Sequence, residues 1–133
     1  MDVYEKTGFL KVTFNKEKKY VMFKWIKFGL SLESLKVAHQ KALDILLANN
    51  CYNYIAETSQ ATGLLSQSVI EWWTNEWVPK LQKSGIKAIV TVIPSSVFAT
   101  YSTKDWQSAV AGNIIMKNVA SLEEAEAFLK TIE

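Results

Sequence analysis

From residue 9 to residue 14 apolar and polar positions alternate, so that Leu10, Val12 and Phe14 share one face. Val21, Phe23 and Trp25 repeat the arrangement in the next run. This period of two predicts a pair of antiparallel strands. The five polar residues between Phe14 and Tyr20, opened by Asn15, suit a hairpin turn. Gly29 closes the hairpin, and Ser31 is placed to cap a helix that carries Glu33 in its first turn. The period then changes. Leu35, Ala38, Ala42, Ile45 and Leu46 recur at helical spacing as far as Asn49 and Asn50, which tolerate the left-handed backbone of a helix stop.

Residues 51–56 are short, aromatic and alternating, and predict a strand. The polar stretch from Glu57 to Gly63 then reads as a loop. Ser66 caps a second predicted helix, in which Ile70, Trp73, Trp77 and Leu81 form one stripe, with Gly85 as its end. Pro79 sits inside that helix and is expected to kink its last turn. Residues 86–93 are apolar almost throughout, as in a strand buried on both faces. Pro94 stops this central strand, and Ser95 or Ser96 caps a helix bearing Val97, Phe98 and Tyr101. Gly112 precedes a last strand over residues 114–117. Ser121 and Glu124 make a capping box for a final helix with Ala125, Phe128, Leu129 and Ile132 on its apolar face. The predicted architecture is a single α/β domain over residues 1–133. Its five-stranded mixed sheet begins with an antiparallel hairpin, continues with alternating helices and strands joined by right-handed crossovers, and is covered by the helices.

Composition narrows the function classes. A chain of 133 residues that is 49% hydrophobic and 21% charged builds one core without help from disulfides or metals. Its one cysteine forms no internal disulfide, no apolar run approaches the length of a spanning helix, and the first residues lack the pattern of a secretory signal. These features predict a cytoplasmic setting. Nine of the 15 basic residues lie within the first 41 positions, and all 15 are lysine. Without arginine there is no planar fork for guanine or phosphate, so sequence-specific nucleic-acid reading is not expected. The run Asn15, Lys16, Glu17, Lys18 and Lys19 reads as a solvated hairpin turn rather than a nucleic-acid surface.

Several sequence pieces, taken in order, resemble the SpoIIAA-like fold, which includes the STAS domains (sulfate transporter and anti-sigma-factor antagonist), and in particular its stand-alone bacterial branch. They are Trp25 with Phe28 and Gly29 before the first helix, Trp73 and Trp77-Val78-Pro79 leading to Gly85, the run from Ala88 to Phe98, and the stretch from Ser121 to Leu129. The resemblance implies a regulatory, protein-interaction role. In anti-sigma antagonists of the family a phosphoacceptor serine lies in an Asp-Ser-Ser/Thr-Gly-Leu motif before the second helix, where phosphate breaks docking by charge and bulk. Here the comparable stretch is Gln60-Ala61-Thr62-Gly63-Leu64. Thr62, Gly63 and Leu64 match, Gln60 replaces the acid, and Ala61 occupies the position of the phosphorylated serine. Thr62 and Ser59 are the first alternative phosphoacceptors, with Thr58 and Ser66 also offering hydroxyls.

Chemistry-bearing signatures are few: no phosphate-binding glycine loop, metal-ligand spacing or nucleophile elbow is present, so neither an enzyme nor a cofactor is expected. His39, the single histidine, falls mid-helix and reads as a packed residue, and Cys51 as a small buried hydrophobe. Glu57 ends its strand at the carboxyl edge, where open α/β sheets place ligands, and either orients the following loop, accepts a ligand proton or caps exposed loop amides. Trp72 is rotated about 100° from Trp73 on a regular helix, onto a face expected to be partly wet, and is therefore the candidate interface residue. The expected partner-binding set is Glu57, Thr58, Ser59, Thr62, Gly63 and Trp72, serving a protein partner or a homodimer formed through the second helix. The competing expectation is a small apolar or lipid ligand in a pocket lined by Trp25, Trp73 and Trp106, with Trp72 and Tyr101.

Overall fold

The computed structural model describes residues 1–92 and 113–132. The helix expected after Ser95 or Ser96, together with Pro94, Tyr101, Trp106 and Gly112, lies outside the described residues. Among the described residues six strands form one sheet: β1 (Asp2–Lys6), β2 (Leu10–Asn15), β3 (Tyr20–Trp25), β4 (Asn53–Glu57), β5 (Ala88–Val92) and β6 (Ile115–Val119). They lie side by side in chain order. β1, β2 and β3 run antiparallel, and β3 through β6 are parallel. The domain is thus α/β with a mixed sheet, but the expected count of five strands is corrected to six. β1 was not legible because Asp2, Glu5 and Lys6 dilute its alternation. It is held by hairpin pairing with β2, with Tyr4 opposite Val12, and by α1 packed against it. Charged residues on such an outer strand also discourage pairing with other chains.

The alternation read from the sequence sorts the two sheet faces. Leu10, Val12, Phe14, Val21, Phe23, Trp25, Tyr54 and Ile89 point to one face, where they pack with helix α1 (Leu32–Ala48) and the helical segment after β4. Tyr20, Ile55, Ala88, Val90, Val92 and Val119 point to the other, beneath α4 (Leu122–Thr131). The caps are those the sequence predicts. Ser31 Oγ accepts from the Ser34 N–H at 3.2 Å, Ser66 Oγ from Val69 at 3.3 Å and Ser121 Oγ from Glu124 at 3.2 Å. Glu124 reaches back one residue further than a capping box requires, accepting from the Ala120 N–H at 2.9 Å. Asn50 takes a φ of 54° just past α1, the left-handed stop expected there.

The β2–β3 turn is tied to α4 by side chains far apart in sequence. Tyr20 donates to Glu126 Oε2 at 2.6 Å and Lys18 Nζ to Oε1 at 3.0 Å. Burial and the neighbouring carboxylate push the Tyr20 hydroxyl up to about 12. The Tyr20 hydrogen bond, with help from Lys18, holds the Glu126 carboxyl below its ordinary value.

Candidate functional site

The loop after β4 is built from its own side chains. Glu57 Oε1 accepts from both the backbone N–H and the hydroxyl of Ser59, at 2.8 and 2.5 Å. Of the roles expected for Glu57, this is the capping one. Thr58 is fully buried, and its hydroxyl donates to the Val92 carbonyl at 2.6 Å, pinning the start of the loop to β5. Ala61 is also fully buried, its N–H bonded to the Thr58 carbonyl. A serine there would place its hydroxyl in the interior, which makes alanine the fitting residue at this position.

Thr62 is held by its backbone and leaves its side chain exposed. Its N–H donates to Ile26 at 3.2 Å and its carbonyl accepts from Phe28 at 2.7 Å, forming a parallel bridge with Lys27 that extends the sheet beyond β3. This tight approach needs the next residue to be glycine. Gly63 has a φ of +86°, and a Cβ built on it would lie 2.9 Å from the Phe28 carbonyl oxygen. Gly63→Ala is expected to cost about 2 kcal/mol or more, from left-handed strain plus displacement of the bridge. A urea titration measures it, and a loss under about 0.5 kcal/mol would show that the bridge yields freely.

The helix after the loop is not regular. It comprises α2 (Gln67–Trp72), a π turn (Trp73–Trp77) and α3 (Val78–Lys83). The Val78 N–H reaches back to the Trp73 carbonyl, five residues away. Pro79 follows at once and has no N–H to offer the preceding turn, so a widened turn stands where the sequence predicted a kink. The widening changes which side chains face inward. Two residues five apart on a regular α-helix diverge by about 140°, whereas a π turn takes in one extra residue and brings them within about 40°. Trp72 and Trp77 therefore stack, with centroids 5.3 Å apart and planes at 23°. The expectation of a wet face for Trp72 is corrected: it is 6% exposed and belongs to the core.

These rings enclose His39 of α1. Its ring centroid lies 4.6 Å from Phe23 and 5.3 to 5.6 Å from Trp72, Trp73 and Trp77. Nδ1 is 2.8 Å from the Leu35 carbonyl, and burial lowers the imidazole to about 4, so Nδ1 carries the proton and donates. A cavity of about 10 Å³ touches Phe23, His39, Tyr54 and Trp73, space for one water at most. Tyr54 is buried beside it, and burial raises its hydroxyl far above the ordinary range. Cys51 is buried as expected, and burial pushes its thiol up.

Glu57, Thr58, Ser59, Thr62 and Gly63 are thus gathered in one loop at the carboxyl edge of the sheet. Trp72 is removed to the core, and Trp25 and Trp73 of the expected pocket are core residues at 1% and 2% exposure. Trp106 and Tyr101 lie outside the described residues. Sequence reasoning missed a run of charged residues across β1 to β4, because strand periodicity assigns a residue to a face but not to its cross-strand neighbour. Fold and site define a mixed-sheet α/β domain with a shaped loop at its carboxyl edge. No family model matches the chain, and no curated protein or solved structure matches it. Among the described residues, no helix is long and apolar enough to cross a membrane.

Proposed function

We propose that the chain is a non-catalytic, cytoplasmic regulatory module resembling STAS domains of the anti-sigma-antagonist type, which docks a protein partner through the loop from Glu57 to Gly63. The observation that carries this reading is the loop itself. Thr58 is anchored to β5 and Thr62 to the chain after β3, while Gln60, the Thr62 side chain and Leu64, at 53% exposure, face outward. A loop with a fixed backbone and exposed side chains binds without a large ordering cost. The order from β2 to β6, a hairpin followed by parallel strands, supports the STAS-like reading, with β1 as an added outer strand.

Ser59 and Thr62 are the proposed phosphoacceptors, and they act differently. Phosphate on Ser59 removes the hydroxyl donated to Glu57 and sets a dianion against that carboxylate, which opens the loop. Phosphate on Thr62 adds charge to the exposed edge while its backbone bridge stays intact. Native and denatured mass spectrometry of the protein from its own host tests the reading. A bound protein partner that is lost when Ser59 or Thr62 carries phosphate is the expected result. Protein without phosphate on either residue, together with partner binding unchanged in Ser59→Glu and Thr62→Glu, overturns it.

A further inference from the structure

A phenol is an unexpected side chain at position 54. β4 lies inside the sheet, Tyr54 is 3% exposed, and among the described residues its hydroxyl has no hydrogen-bond partner. Phenylalanine would fill nearly the same space without a polar group, as Phe23 does alongside, with ring centroids 5.8 Å apart and planes at 16°. Folded chains rarely leave a buried hydroxyl unpaired, because it has given up its hydrogen bonds to solvent and gained none in return. The structure offers it a cavity instead.

Tyr54 borders the space of about 10 Å³ that also has His39 and Trp73 in its walls. Every residue around that space is buried. Size and lining together select an occupant. The volume suits one water and nothing larger. Cavities lined by aliphatic groups alone stay dry, whereas here the Tyr54 hydroxyl, the Trp73 indole N–H and the His39 imidazole belong to residues that share the walls with apolar side chains. A water oxygen has two lone pairs, and a phenol hydroxyl and an indole N–H are both donors.

We propose that this cavity holds one internal water, bound by the Tyr54 hydroxyl and lying against Trp73 of the π turn and His39 of α1. The Tyr54 hydroxyl carries the assignment. A water held in this way removes the penalty of burying the phenol and becomes part of the core that joins β4 to the two helical elements above it. Escape requires the aromatic cage to part, so this water exchanges with solvent more slowly than water on the surface. The site uses none of the loop hydroxyls, and it stands whether or not the loop docks a partner.

Tyr54→Phe separates a hydrated cavity from a dry one by the sign of its effect. Taking the hydroxyl from a hydrated cavity deprives the water of its partner and lowers the urea midpoint, whereas taking an unpaired hydroxyl from a dry one raises it. A lowered midpoint with an unchanged slope is the expected result. Oxygen-17 relaxation dispersion of the full chain counts long-lived internal waters, and the natural chain is expected to hold one more than the variant. Equal counts, or a midpoint that is unchanged or raised, overturn the proposal. Electron density of the natural chain reads the same site without any substitution: one oxygen within hydrogen-bond distance of Tyr54 Oη is expected, and a cavity free of density overturns the proposal as well.

Discussion

Acidification from pH 7.5 to pH 4 is expected to remove about 3 kcal/mol of folding stability through His39 alone, with about 2 kcal/mol already gone at pH 5. The imidazole is lowered from 6.5 to about 4 in the folded chain because it is buried among Phe23, Trp72, Trp73 and Trp77. Phe23 comes from β3, the tryptophans from α2 and the π turn, and Tyr54, Ile55, Ala56 and Ile89 line the adjoining cavity from β4 and β5. None of these side chains is a carboxylate that would steady an imidazolium. The unfolded chain takes up the proton first. The contribution is therefore complete above about pH 6.5 and is lost as pH falls from there towards about 4. Urea titrations of the natural chain and His39→Gln at several pH values measure it, since acid effects from carboxylates are common to both and cancel. A difference between the two that stays constant from pH 7.5 to 4 would show that the imidazole is not buried in neutral form.

Replacing Trp72 with alanine is expected to cost about 3 to 5 kcal/mol, the range for truncating a buried aromatic side chain. Trp72 loses its stack on Trp77 and its edge contact with His39, and the π turn loses the pair that it brings into register. Trp72→Phe should recover most of the loss by refilling the space. Stability by urea titration reads the effect, and near-ultraviolet circular dichroism reports whether the stacked pair persists. A loss below about 1 kcal/mol, with weakened association as the main consequence, would return Trp72 to the surface role that regular helical geometry suggests.

Most of the architecture was legible in local patterns because local physics decides them. Alternation in residues 9–14 and 21–25 set the faces of β2 and β3, and serines 31, 66 and 121 set three helix starts through hydrogen bonds only three residues long. β1 escaped because a strand of charged residues is stabilised by the partner it pairs with rather than by its own pattern. In the loop, the residue types pointed to Glu57, Ser59 and Thr62 as polar groups at a sheet edge. That Ala61 is interior and that Gly63 crowds the Phe28 carbonyl depends on the chain after β3 returning to that edge.

The sequence by itself determined the class of fold, the sides of its strands, its helix caps and the place of its polar loop, all of them consequences of period and short-range hydrogen bonding. Only the tertiary structure decided which charges meet across the sheet, because register joins residues with no sequence relation, such as Lys11 and Lys24. It also decided that Trp72 is interior. Pro79 withholds one backbone N–H, the helix before it widens by a residue, and every later side chain turns relative to the regular spiral that a sequence can be read on.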